Sequence, residues 1–330
     1  MSTPQQPIGS GFTAASTAAE VIDGIDLTGR TAIVTGGYSG LGKETVRAFL
    51  AAGAELIVPA RDTARANKQL AGVEGVVVDE LDLLDPGSID AFADRFLADG
   101  RPLHLLVNSA GIMATPLRRD ARGFESQFAT NHLGHFQLTT RLLPALRQAD
   151  GARVVALSSR GHRYSAVDFE DPNFEHREYA PYPAYGQSKT ANVLFVVELD
   201  ARERENGIRA FAVHPGSIMT NLAGGTDREL LRQGGFLDEN YEPIIDPGRG
   251  LKTPEQGAAT QVWCATSPQL DGLGGVYCED VEIAKVHSGE QPDTEVLALT
   301  PGSFGVLPYA IDPDNARRLW KLSEEILHRR

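Results

Sequence analysis

Hydrophobic positions in this chain gather into short runs, each followed by a longer stretch whose apolar residues recur at helical spacing. The runs are Thr31–Thr35 (TAIVT), Glu55–Ala60 (ELIVPA), Gly75–Val78 (GVVV), Leu103–Val107 (LHLLV), Arg153–Leu157 (RVVAL), Ile208–Val213 and Gly275–Cys278. Short, β-branched and bounded by turn residues, they read as strands. Helices are predicted after Gly40, where Leu41, Val46, Phe49 and Leu50 recur, from Asp62, over Pro86–Ala98, over about Gly123–Gln148 and over about Tyr182–Glu205. Strands alternating with helices predict a parallel sheet covered on both faces. With a glycine-rich turn after the first strand, one doubly wound α/β domain with seven parallel strands in the order 3-2-1-4-5-6-7 is expected. Residues 1–24 are small and polar and read as an extension lying on the surface or partly disordered, ahead of a domain spanning 25–330. Residues 284–330 form a C-terminal extension ending in a helix.

Composition narrows the function classes. Hydrophobic residues make up 42% of 330, an ordinary globular share. With 31 Lys and Arg against 44 Asp and Glu the net charge is −13, which argues against nucleic acid or an anionic membrane as partner. Cys264 and Cys278 are the only cysteines and form no C-x-x-C, so neither a metal site nor a disulfide framework is expected. The first basic residue is Arg30, and no apolar run approaches the ~18 residues of a membrane span, so a cytoplasmic protein is expected.

Candidate chemistry sits at the carboxyl ends of the strands. Thr31–Ala52 carries Gly36-x3-Gly40-x-Gly42, a turn that lets backbone approach a pyrophosphate and points free N–H groups of a helix start at it. It lacks the Gly-Lys-Ser/Thr ending of a P-loop, and a flexible turn of another α/β protein is the competing reading. Tyr185 and Lys189, in YGQSK, stand four apart and so share a helical face. A free phenol titrates near pH 10, and a lysine beside it would favour phenolate. Ser159 closes the fifth strand, where its hydroxyl can polarise a carbonyl. Tyr and Lys four apart also occur by chance on amphipathic helices.

Taken together these residues resemble the short-chain dehydrogenase/reductase family, from about Asp26 to Ile283. The resemblance runs through TGGYSGLG (Thr35–Gly42), Asn108 to Gly111, Asn131 in NHLGHF, Ser159, Tyr185-x-x-x-Lys189 and HPGSIMT (His214–Thr220). SKTANVLF and VHPGSIMT look most like the branch of retinol dehydrogenases and related carbonyl reductases. The resemblance implies a Rossmann fold and a nicotinamide dinucleotide. It implies Tyr185 as general acid or base, Lys189 holding the ribose hydroxyls and lowering the Tyr185 pKa, Ser159 bonding the reacting oxygen, and Asn131 positioning a water. Gly36, Tyr38, Ser39, Gly40, Leu41 and Gly42 would line the pyrophosphate and Asp82 and Leu83 the adenine. Asn108, Ala110 and Gly111 would lie along the dinucleotide, and Pro215, Gly216, Ile218 and Thr220 near the carboxamide.

Departures and rivals refine this. Asn108-Ser109-Ala110-Gly111 replaces the family's Asn-Asn-Ala-Gly, and Asn108 reads as an inter-strand hydrogen bonder. Ser158 is the rival of Ser159. His132, His135 and His162 read as loop or packing residues, and Asp168, Glu170 and Asp171 as a solvated loop rather than a metal site. Ser159 and Tyr185 stand 26 apart, about twice the family's usual interval. Tyr164, Phe169, Phe174 and Tyr179 in the extra length are expected as an aromatic wall, and residues 221–250 as a mobile substrate loop. Such apolar walls favour a lipophilic carbonyl or alcohol. The acid that selects NAD would be the last residue of the second strand, here Ala60. Asp62 reads as a helix cap, and Arg61 is placed to clamp a 2′-phosphate, so NADP(H) is expected over NAD(H). The expanded passage before Tyr185, or residues 1–24, would cover the helices through which many relatives pair, so a monomer is expected. Reduction of a carbon–carbon double bond, as in protochlorophyllide reductases, and a non-catalytic dinucleotide sensor are the alternatives.

Overall fold

The computed structural model describes residues 3–219, 227–287 and 305–328. After α1 (Ala18–Ile22) come β1 (Thr31–Thr35), α2 (Gly40–Ala51), β2 (Glu55–Ala60), α3 (Thr63–Gln69), β3 (Val76–Glu80), α4 (Pro86–Ala98) and β4 (Leu105–Asn108). The chain continues through α5 (Ser126–Phe128), α6 (Gly134–Gln148), β5 (Arg153–Leu157), α7 (Pro181–Glu203), β6 (Arg209–His214) and α8 (Arg228–Gln233). Then follow α9 (Pro254–Thr266), β7 (Val276–Glu279), β8 (Glu282–Ile283) and α10 (Pro313–His328). The sheet order is β3-β2-β1-β4-β5-β6-β7-β8. Seven strands are parallel in the expected order; β8 adds an eighth, antiparallel to β7.

Alternation along the strands splits the core in two. Ile33, Ile57, Leu106 and Val154 face α4, α6, α7 and α10. Ala32, Val34, Leu56, Val58 and Val107 face α1, α2 and α9. Such period-2 division is what a sheet buried on both faces requires.

Both extensions are built into this body. Thr17 and Glu20 form a capping box on α1, which buries Val21 and Ile22 against the α9 side. The Gln5 carboxamide lies along β7 like a peptide of a neighbouring strand, donating to Tyr277 O and accepting from Tyr277 N–H at 2.7 and 2.9 Å. The Glu282 carboxylate accepts the N–H groups of Ile8, Gly9 and Ser10. Residues 3–24 are therefore ordered, and they lie on the α9 side and the β7–β8 edge. At the other end, α10 sets Trp320 against Phe136 of α6 and Phe195 of α7, with ring centroids 4.9 and 6.0 Å apart. The face of α6 and α7 is thus covered by α10.

Candidate active site

The turn between β1 and α2 is closed tightly enough that only glycine fits. At Gly42 a Cβ would stand 2.4 Å from Gly36 O, and Gly36 itself is at φ +68° against Ala110. Ser39 caps the helix in extended conformation without a side-chain cap bond. The result is a concave run of backbone, Gly36 to Gly42 with Tyr38 and Leu41, opening onto the N-terminus of α2. That shape and polarity fit a pyrophosphate. Thr35 Oγ1 accepts the N–H groups of Ser109 and Ala110 at 2.9 and 3.0 Å, locking the β4 exit, with Asn108 and Gly111, against the cradle. Across it, Leu41 and Ile218 both crowd Gly257 of α9, where a Cβ would meet them at 2.6 and 2.7 Å. Gly216 follows Pro215 at φ +98°. Beyond β3, Asp82 Oδ1 accepts Leu84 N–H and Leu83 is buried against α6, its carbonyl meeting Gly134. Beyond β2, Ala60 is buried, Arg61 is exposed, and Asp62 caps α3 by accepting Arg65 N–H at 2.9 Å, as its position predicted. Thr220 lies outside the described residues.

Four polar side chains meet beside this cradle. Ser159 follows β5 and caps a 3₁₀ turn, Arg160–Tyr164; its Oγ accepts Gly161 N–H at 2.9 Å and lies with the Tyr185 ring against Gly161, where a Cβ would meet Ser159 Oγ at 3.3 Å. Tyr185 is 4% exposed, its ring so close to the turn that a Cβ on Gly161 would stand 2.7 Å from Cε1. One helical turn on, Lys189 Nζ donates to Leu157 O at 2.9 Å and stands 5.6 Å from the Tyr185 ring centroid. Asn131 sits in a π turn, Ala129–Leu133, its Nδ2 donating to Ile112 O and Ser188 Oγ and its Oδ1 accepting Ile112 N–H, each at 2.9 Å. Gly111 joins the two, since a Cβ there would lie 3.1 Å from Asn131 Oδ1 and 3.6 Å from Lys189 Nζ. Ser158, by contrast, is buried and donates to Lys189 O at 2.8 Å.

Electrostatics depart from expectation at one point. Burial pushes the Tyr185 phenol up to about 12, the nearby Ser159 hydroxyl opposing it only in part. Lys189 contributes no lowering here: its ammonium is bonded to Leu157 O, and burial brings its own pKa down to about 8. At neutral pH the structure therefore holds a protonated phenol beside a buried cation, an arrangement able to donate a proton to an oxygen placed between Ser159 and Tyr185.

Residues 30–230 match the short chain dehydrogenase family. The chain belongs to the short-chain dehydrogenase/reductase family. A "Probable oxidoreductase" of Streptomyces antibioticus is 46% identical over 310 residues, covering 92% of this chain and 99% of that protein. Mouse "Retinol dehydrogenase 11" is 35% identical over 309 residues, covering 92% and 88%. A crystal structure from Mycobacterium paratuberculosis superposes with a TM-score of 0.70 at 34% identity, covering 95% of this chain and 98% of the other. The chain thus lies in the retinol dehydrogenase-like branch, an alcohol/carbonyl oxidoreductase whose cofactor is a nicotinamide dinucleotide.

Around this dehydrogenase site several residues differ from their sequence reading. Asn108 Nδ2 donates to Thr139 Oγ1 of α6 rather than to a strand. His132 keeps its reading as a packing residue, set among Phe128, Phe136 and Phe195 and bonded to Ser323 of α10. His135 bridges Thr35 Oγ1 and Asn131 O at 2.9 and 3.0 Å, so it braces the site, and nothing in the sequence pairs it with Thr35. Asp171 is buried, not solvated: it accepts Glu175 and His176 N–H and organises the inserted passage with Arg177. The aromatic wall is divided. Tyr164 packs on Tyr182 beside Tyr185, Phe174 and Tyr179 pack on each other, and Phe169 lies under Arg318 of α10. Among residues 227–250, α8 and a turn at Pro247–Arg249 are formed; 221–226 lie outside the described residues.

Proposed function

We propose that this chain is an NADP(H)-dependent reductase and dehydrogenase that interconverts a lipophilic ketone or aldehyde with its alcohol. The observation that carries the reading is Ser159 and Tyr185 set together against Gly161, with Lys189 buried one helical turn on. In reduction Tyr185 gives its phenolic proton to the carbonyl oxygen, and in oxidation it takes that proton back. Ser159 donates a hydrogen bond to the same oxygen, which strengthens as negative charge develops there. Lys189, one helical turn on with its ammonium bonded to Leu157 O, would hold the ribose hydroxyls. Asn131 keeps the backbone at Ile112 in place and positions a water for proton relay. The dinucleotide, when bound along the cradle, supplies or accepts the hydride.

Arg61, exposed after a strand that ends in the neutral Ala60, supports a preference for the 2′-phosphate, because the neighbouring acid Asp62 is engaged as a cap. The retinol dehydrogenase relatives and the aromatic pair Tyr164–Tyr182 support a lipophilic substrate. The cover that α10 places on α6 and α7 supports a monomer, and a stable tetramer in light scattering would exclude it.

A panel of aldehydes, ketones and alcohols, followed by nicotinamide absorbance with each dinucleotide, tests the reading. Turnover of lipophilic carbonyls with NADPH is expected; activity on activated double bonds alone would replace it. Arg61→Ala should lower kcat/KM for NADPH far more than for NADH. An equal loss with both would show that Arg61 does not meet the phosphate.

A further inference from the structure

The amide plane that follows Ser159 is held at both of its polar ends by buried imidazoles. His162 Nδ1 donates to Ser159 O at 2.8 Å, and Arg160 N–H donates to His214 Nδ1 at 3.2 Å. The carbonyl and the N–H belong to one planar peptide unit; Ser159 O also accepts the turn's own His162 N–H at 3.0 Å, so the His162 ring adds a second bond there, while Arg160 N–H finds its partner in the His214 side chain. Backbone partners settle both tautomers. His162 Nε2 accepts Leu307 N–H at 3.2 Å, which leaves its proton on Nδ1. His214 Nδ1 also accepts Gly216 N–H at 3.4 Å, which leaves its proton on Nε2. Burial and nearby cations, Arg163 for His162 and Arg160 and Lys252 for His214, keep both rings neutral at physiological pH.

The Ser159 side chain leaves its Cα at the edge of that plane, so turning the plane would swing Oγ away from Gly161 N–H and from the Tyr185 phenol. We infer that His162 and His214 are positioning residues that clamp the Ser159–Arg160 peptide and thereby aim the Ser159 hydroxyl at Tyr185. This rests on the role given to Ser159 above. The clamp is anchored outside the site on both sides. His162 reaches the segment before α10 through Leu307, and its own carbonyl accepts the Tyr309 hydroxyl at 2.7 Å. His214 reaches the turn beside the cradle through Gly216.

The test is a set of variants in the full chain, assayed on a carbonyl compound that the wild type reduces. His162→Leu and His214→Leu should each lower kcat about 10- to 100-fold, the scale of a small misplacement of a reacting group, with dinucleotide affinity unchanged in His162→Leu. Asn presents its amide where Nδ1 stood and Gln where Nε2 stood, so Asn at either position should restore kcat and Gln should not. In a Ser159→Ala background the histidine substitutions should cost nothing further, because they act through Ser159. Leucine variants at wild-type kcat, or losses undiminished in that background, would overturn the clamp. Ser159→Ala at wild-type rate would instead remove the role of Ser159, and the clamp with it. If the leucine variants do not fold, Asn against Gln decides, and equal kcat for the two overturns the clamp.

Discussion

At the scale of single residues the site turns on one phenol and one amine whose burial sets them apart. Tyr185 is held protonated, up to about 12, because a phenolate there would lose its water. Tyr185→Phe keeps the ring against Gly161 and removes the proton, so kcat should fall roughly 10²–10⁴-fold while dinucleotide binding persists. A Phe variant near wild-type turnover would end the assignment. Lys189, brought down to about 8, is a cation below that pH and neutral above it. Because kcat/KM for the dinucleotide reports ionisations of the free enzyme, it should decline as pH rises through about 8. A profile flat to pH 10 would place the Lys189 pKa higher than its burial implies.

At the scale of elements, most of the frame was legible. β2, β5 and α4 fall on the predicted residues, because apolar runs buried on both faces and Pro or Asp at helix starts leave few alternatives. The helical stretch expected over about 123–148 is present from 126 to 148, with a π turn between α5 and α6. That turn carries Asn131, which bonds Ile112, a partner 19 residues away that no local period reveals. The same holds for Thr35 with His135 and for Gln5 with Tyr277: contacts between strand ends and distant segments leave no spacing to read. α10 is similar, foreseeable as a terminal helix but not as the cover of α6 and α7. Trp320 is 5% exposed and packed on two aromatic rings, so Trp320→Ala should cost about 3–5 kcal/mol in a denaturant melt. A loss under about 1 kcal/mol would mean that α10 rests on its neighbours without being held by that ring.

For the whole molecule, buried ionisable groups make stability depend on pH in two opposed ways. His132, His135 and His162 are held neutral, with values brought down to about 3, 4 and 4, whereas the unfolded chain protonates them near 6.5. The unfolded state then binds more protons below 6.5, so stability rises with pH from about 4 to 6.5. Glu279 works against this: pushed up to about 8 from 4.5, it keeps in the fold a proton that the unfolded chain releases, so its contribution falls between those values. Tm should therefore climb to about pH 6.5 and decline towards 8, and Glu279→Gln should remove the decline while leaving the acid limb. A Tm constant from pH 4 to 8 would contradict both shifts. The amide of Gln5 and the carboxylate of Glu282 have a different consequence for the molecule as a whole. They seal one margin of the sheet, whereas at the other, β3 leaves Val77 59% exposed. Fibre growth by strand addition needs two open margins per copy, one to receive and one to offer. With a single open margin, copies joining edge to edge at β3 would stop at a closed pair.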